Sequence, residues 1–132
     1  MQHRVPAFLA SVLAASMAVV AAPASATERV AYSDAAFAAA QRAGRPILVE
    51  VHAPWCPVCA AQGRMLDKLT AKGDRDLIVF RIDYDSQKPL WKKFGAQKQS
   101  TMIAFRGAKE TGRIAYVSDE ASMTRLLASM RG

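Results

Sequence analysis

The chain has 132 residues, a formal charge of +7 and 52% hydrophobic residues, with two cysteines and two histidines. That length supports one domain with a substantial core. The basic residues are scattered and no run exceeds two, which gives a solvated basic surface and argues against a nucleic-acid footprint.

Residues 1–26 are expected to lie outside the fold. Arg4 and the amino group form a positive start, an apolar stretch follows over 7–22, and Ala24-Ser25-Ala26 supplies small residues at a cleavage site. This is the pattern of a secretory signal peptide cut before Thr27. The alternative, a retained anchor, needs about 20 apolar residues, and this run is shorter. The expected organisation is a signal peptide over 1–26 and one domain over 27–132. The expected location is the periplasm, an oxidising compartment.

Residues 28–32 predict a short edge strand. Ser33-Asp34 marks a helix start for 35–43, which Gly44 ends before Pro46. Residues 47–51 read as a buried strand interrupted by one acid, Glu50. Pro57 suits the first turn of the next helix. Val58, Gln62, Met65, Leu66 and Leu69 then recur at helical spacing, and Gly63 is expected to weaken or bend that helix. Residues 76–83 give a second buried strand, 86–94 a short helix, and 101–105 a third strand. A turn over 107–112 leads to a fourth strand over 113–117 in hairpin register. Ser118-Asp119 starts a last helix with Met123, Leu126, Leu127 and Met130 inward. Phe37, Met65, Met102, Ile103 and Phe105 are core candidates. The alternation of strands and helices predicts an α/β fold, a central mixed four- to five-stranded sheet flanked by helices on both faces.

Trp55-Cys56-Pro57-Val58-Cys59 holds the only two cysteines. Cysteines at i and i+3 in a first helical turn bring their Cα atoms within about 4.4–6.8 Å, the range a disulfide requires. A Cys56–Cys59 bridge would therefore open and close without unfolding anything. It closes too short a loop to act as a strong staple. The helix N-terminus favours a thiolate on the first cysteine, and the thiolate is the attacking species. Cys56 is the expected nucleophile, more exposed than its partner, and Cys59 the resolving thiol. A zinc site needs about four ligands, and only His52 stands near the pair. No metal or other cofactor is expected for the exchange itself.

The chain resembles the thioredoxin superfamily across essentially all of residues 27–132. The resemblance rests on Glu50-Val-His-Ala-Pro-Trp-Cys-Pro-Val-Cys59, Arg81-Ile-Asp83 and Phe94-Gly-Ala-Gln-Lys-Gln-Ser-Thr-Met-Ile-Ala-Phe105. It implies a thioredoxin-like fold and thiol–disulfide exchange. It implies that Glu50 is a buried carboxylate taking the proton from Cys59, with Arg81 either its partner or a surface charge. It also implies that Trp55, Pro57, Ser100 and Thr101 line the substrate surface. Two departures stand out. Ser100 occupies the position of a proline that is usually cis, and Pro57-Val58 replaces the Gly-Pro of reducing thioredoxins. Ser100 is expected to place a hydroxyl and an N–H beside Cys56, in a loop either trans or strained. A proline restored at this position is expected to alter exchange, or else to raise stability.

The expected activity is that of a monomeric protein thiol–disulfide oxidoreductase. Its expected partners are cysteine-containing exported proteins and a membrane electron donor or acceptor, with no nucleic acid. The alternative is a non-catalytic binding module on the same fold, such as a copper(I)-thiolate carrier.

Overall fold

The computed structural model describes residues 27–74 and 76–131. The signal peptide read at 1–26 lies outside the described residues. The elements are β1 (Glu28–Ala31), α1 (Asp34–Arg42), β2 (Pro46–His52), α2 (Pro57–Thr70), β3 (Ile78–Asp83), α3 (Lys88–Lys93), β4 (Thr101–Arg106), β5 (Lys109–Ala115) and α4 (Glu120–Ser129). Two helix starts follow from their caps. Ser33 accepts the Ala36 N–H at 3.2 Å, and Asp119 accepts the Ser122 N–H at 2.9 Å.

The strands form one sheet in the order β1-β3-β2-β4-β5. β3 runs parallel to β1 and β2, while β4 is antiparallel to β2 and β5. Parallel neighbours need a crossover, and α2 provides it between β2 and β3. The closing hairpin is tighter than the sequence suggests. Arg106 pairs with Lys109, so the expected turn over 107–112 shrinks to two residues and β5 begins at Lys109. Gly107 lies at φ +56°, the positive φ that a two-residue hairpin needs at its first central position. The register then shifts between Ala104 and Phe105.

Strand alternation divides the core in two. Val49, Val51, Phe80, Ile82, Ile103 and Phe105 pack on one face with Phe37 of α1 and Trp91 of α3. Leu48, Val79 and Met102 pack on the other with Leu66 of α2 and Met123, Leu126 and Leu127 of α4. Each large side chain buried this fully contributes about 1.5–3 kcal/mol. Met65 is only half-buried and packs at the margin of the second cluster. Gly63 does not interrupt α2, and a Cβ there would meet nothing within 4 Å.

This topology gathers four chain segments at one end of the sheet. β2 ends there at His52, α2 begins there at Pro57, β4 begins there at Thr101, and β5 ends there at Ala115. Val51 pairs with Thr101 and Thr101 with Ala115. The residues just beyond these pairs form the site.

Candidate active site

Cys56 is the N-cap of α2, in extended conformation, and Pro57 follows in the first turn. Its Sγ accepts the Cys59 N–H at 3.1 Å. A sulfur so placed meets an otherwise unpaired helical N–H and the positive end of the helix. Both cysteines are free thiols in this structure, the reduced member of the predicted pair. The expected difference in exposure is absent, because Cys56 is 3% exposed and Cys59 5%. The two sulfurs differ instead in their helix position and surroundings. Ala53, Val58 and Tyr84 pack around them.

Burial pushes the Cys59 thiol above the ordinary value of 9.0, and the neighbouring Cys56 sulfur adds to the effect. Backbone hydrogen bonding at Ala53 and Ser100 pulls the other way. The Val51 carbonyl joins these parts. It accepts the Ser100 N–H at 2.8 Å and lies 4.0 Å from Cys59 Sγ.

Glu50 is buried, as expected of a carboxylate in an apolar strand. Alternation from Leu48 puts it on the face covered by α2. It is not isolated: Arg81 Nε donates to its Oε1 at 2.6 Å. Arg81 is therefore its partner, reaching it from β3, where the two residues pair across the sheet. His52 ends β2 opposite Asp83. Its burial, helped by the Arg81 charge, holds the imidazole below its usual 6.5, while Glu50 and Asp83 oppose the shift.

Trp55 is 56% exposed beside Cys56. Its Nε1 donates to Asp85 Oδ2 at 2.8 Å, and its ring meets Tyr84 edge-on. Tyr84 stacks on the buried Trp91 at 5.2 Å. The tryptophan is thus a held aromatic platform. Pro57 is exposed on the same helix start. Thr101 is buried, and its hydroxyl donates to the Lys98 carbonyl at 2.8 Å, so it closes the loop.

Ser100 settles the question raised by the missing proline. Among the described residues no peptide bond is cis, and Ser100 sits at φ +62°. It is fully buried, and its hydroxyl has no hydrogen-bond partner. A proline that raises stability needs a compatible backbone, and this backbone does not provide one. Proline cannot adopt a positive φ and has no N–H for Val51. The backbone of Ser100, through the Val51 carbonyl, approaches Cys59.

Three further residues belong to this site, beyond those its motifs point to. Gln62, core-facing by its spacing, is a lone amide in an apolar stripe and donates to the Ser100 carbonyl at 3.2 Å. Tyr116 is exposed, lies at φ +59°, donates its N–H to the Ser100 carbonyl, and carries Lys98 over its ring at 4.3 Å. Asp85 anchors Trp55. Among the described residues, no group of three or more His, Cys, Asp or Glu side chains gathers in a metal-binding arrangement.

A five-stranded mixed sheet with a dithiol capping the helix after its central strand defines a thioredoxin-type domain. The Thioredoxin family model matches residues 28–130, and the chain belongs to that family. A crystal structure of Trxlp from Edwardsiella tarda EIB202 is similar at 40% identity, covering 76% of this chain and 98% of that one, with a TM-score of 0.71. A thioredoxin of Mycobacterium bovis is 28% identical over 99 residues, 74% of this chain and 85% of its own. The chain spans 52% of the mouse mitochondrial thioredoxin, at 24% identity over 66% of this chain. It spans 20% of the bifunctional thioredoxin reductase/thioredoxin of Mycobacterium leprae, at 27% identity over 71% of this chain.

Proposed function

We propose that the protein is an exported, monomeric thiol–disulfide oxidoreductase. It exchanges its Cys56–Cys59 pair with cysteines of exported proteins or of a redox partner at the membrane. The observation that carries this reading is the Cys59 N–H donated to Cys56 Sγ at the start of α2, which supports negative charge on the sulfur that attacks first. The thiolate of Cys56 attacks a partner disulfide, forms a mixed disulfide and expels one partner sulfur as thiolate. Cys59 then attacks Cys56, the Cys56–Cys59 bond forms, and the second partner sulfur leaves. Glu50, buried under α2, accepts the Cys59 proton during that second attack. Trp55 offers the exposed face on which a partner lands. Periplasmic location rests on the leader pattern of residues 1–26.

The two steps should differ in pH dependence. Cys59 must lose its proton to attack, and burial holds that proton above the usual 9.0. In stopped-flow exchange with a disulfide substrate, the release step should accelerate as pH rises into the alkaline range, where free Cys59 thiolate adds to the Glu50-assisted path. The same shift makes the reduced fold lose stability as pH rises past 9.0, because the unfolded thiol ionises first. Cys59→Ser should remove that alkaline loss. A release step flat from neutral to alkaline pH would contradict the assignment.

Glu50→Gln should slow release and spare the first attack. Its cost in stability should be small. Breaking a fully buried ion pair costs about 3–5 kcal/mol, but the Arg81 side chain is 41% exposed and its charge can turn to water. A loss under about 1 kcal/mol is expected, measured by urea titration beside single-turnover kinetics. Unchanged release would leave Glu50 a structural acid.

A further inference from the structure

Gln62 is 2% exposed, in the first half of α2, one turn beyond Cys59. Its Nε2 donates to the Ser100 carbonyl at 3.2 Å and to the Val117 carbonyl at 2.9 Å. Both partners are acceptors, so the amide nitrogen must face them. A fully apolar residue would pack equally well on a helix face, but it would take the side-chain donor from the Val117 carbonyl and leave the Ser100 carbonyl with the Tyr116 N–H alone.

The two carbonyls belong to unusual backbone. Ser100 at φ +62° and Tyr116 at φ +59° are the non-glycine residues with positive φ among those described. Val117 directly follows Tyr116. The Tyr116 N–H donates to the Ser100 carbonyl at 3.0 Å, and the Ser100 N–H to the Val51 carbonyl at 2.8 Å. Such conformations cost free energy and persist only where surrounding contacts fix them. Gln62 is the side chain that ties both segments to the helix carrying the two cysteines. The Val51 carbonyl, on which the Ser100 N–H closes, is the one 4.0 Å from Cys59 Sγ.

We propose that Gln62 is a positioning residue for the resolving step: by clamping the Ser100 and Val117 carbonyls to α2, it holds the left-handed Ser100 backbone against Cys59. The inference rests on the reading of Cys59 as the resolving thiol. Gln62 touches neither substrate nor the bond that breaks. It fixes the geometry in which the Cys59 proton leaves and its sulfur attacks Cys56.

The test compares wild type with Gln62→Met, which keeps length and loses both donors. Exchange with a small aromatic disulfide is followed in single turnover across pH. The Cys56 attack should stay within about twofold, while release slows by about tenfold, the scale of a small misplacement of reacting groups. The pH midpoint of release should also move upward. A folded Gln62→Met protein with wild-type release and an unchanged midpoint would overturn the proposal, as would equal slowing of both steps. Should the variant not fold, wild type decides: in NMR, both Gln62 side-chain amide protons should be protected from exchange and shift when Cys59 ionises. Unprotected protons, or no shift, would overturn it. A wild-type protein that performs no exchange would instead refute the function proposed above.

Discussion

Ser100→Pro is expected to lower the urea midpoint sharply, at a cost of about 3 kcal/mol or more. Two losses add. The Ser100 N–H that meets the Val51 carbonyl at 2.8 Å disappears, leaving a buried acceptor short of a partner, worth about 1–3 kcal/mol. The ring also demands φ near −65°, whereas the native value is +62°. Ser100→Gly should act in the opposite direction. Glycine occupies the left-handed region freely, removing a penalty of about 1–2 kcal/mol, and it deletes a buried hydroxyl without a partner. The void left by so small a side chain offsets part of that gain. Equilibrium unfolding of the two variants beside wild type gives the answer. A proline variant as stable as wild type would mean that the loop adopts another backbone path.

Cys56→Ser should reduce disulfide exchange to the rate in buffer, because a serine hydroxyl at the same helix cap is no thiolate. The fold should survive, since a serine Oγ caps a helix N-terminus well and can still accept the Cys59 N–H. Cys59→Ser should behave differently. The first attack proceeds at nearly the wild-type rate, then the reaction stalls at the mixed disulfide. Rapid quench with free-thiol counting separates the two. Residual turnover in Cys56→Ser would place the nucleophile elsewhere.

Much of this was legible from residue patterns. The alternation of the strands at 47–51 and 76–83 with the helical stripe over 58–69 was enough to place β2, α2, β3 and helices on both faces, although β3 starts only at Ile78. Ser33 and Asp119 announced their helices by capping. The hairpin was harder to read, because Gly107 and Gly112 both look like turn residues; only Gly107 turns the chain. Gly112 lies within β5 against α4, where an added Cβ would come within 3.4 Å of Leu126. At the site, spacing gave Cys56 and Cys59, and an acid within an apolar strand gave Glu50. The Glu50–Arg81 bond depends on strand register. The left-handed backbone at Ser100 and Tyr116 leaves no mark in residue type, since neither is glycine. The Gln62 clamp follows from that backbone, so it too required coordinates.

The central claim is that Cys56 attacks and Cys59 resolves. Cys59→Ser and Cys56→Ser proteins, reduced and then mixed with a disulfide-bonded protein substrate, test it by mass mapping of the trapped adducts. The account predicts a stable mixed disulfide through Cys56 in Cys59→Ser and none in Cys56→Ser. Adducts through Cys59 in the Cys56→Ser protein, with none in its counterpart, would contradict it.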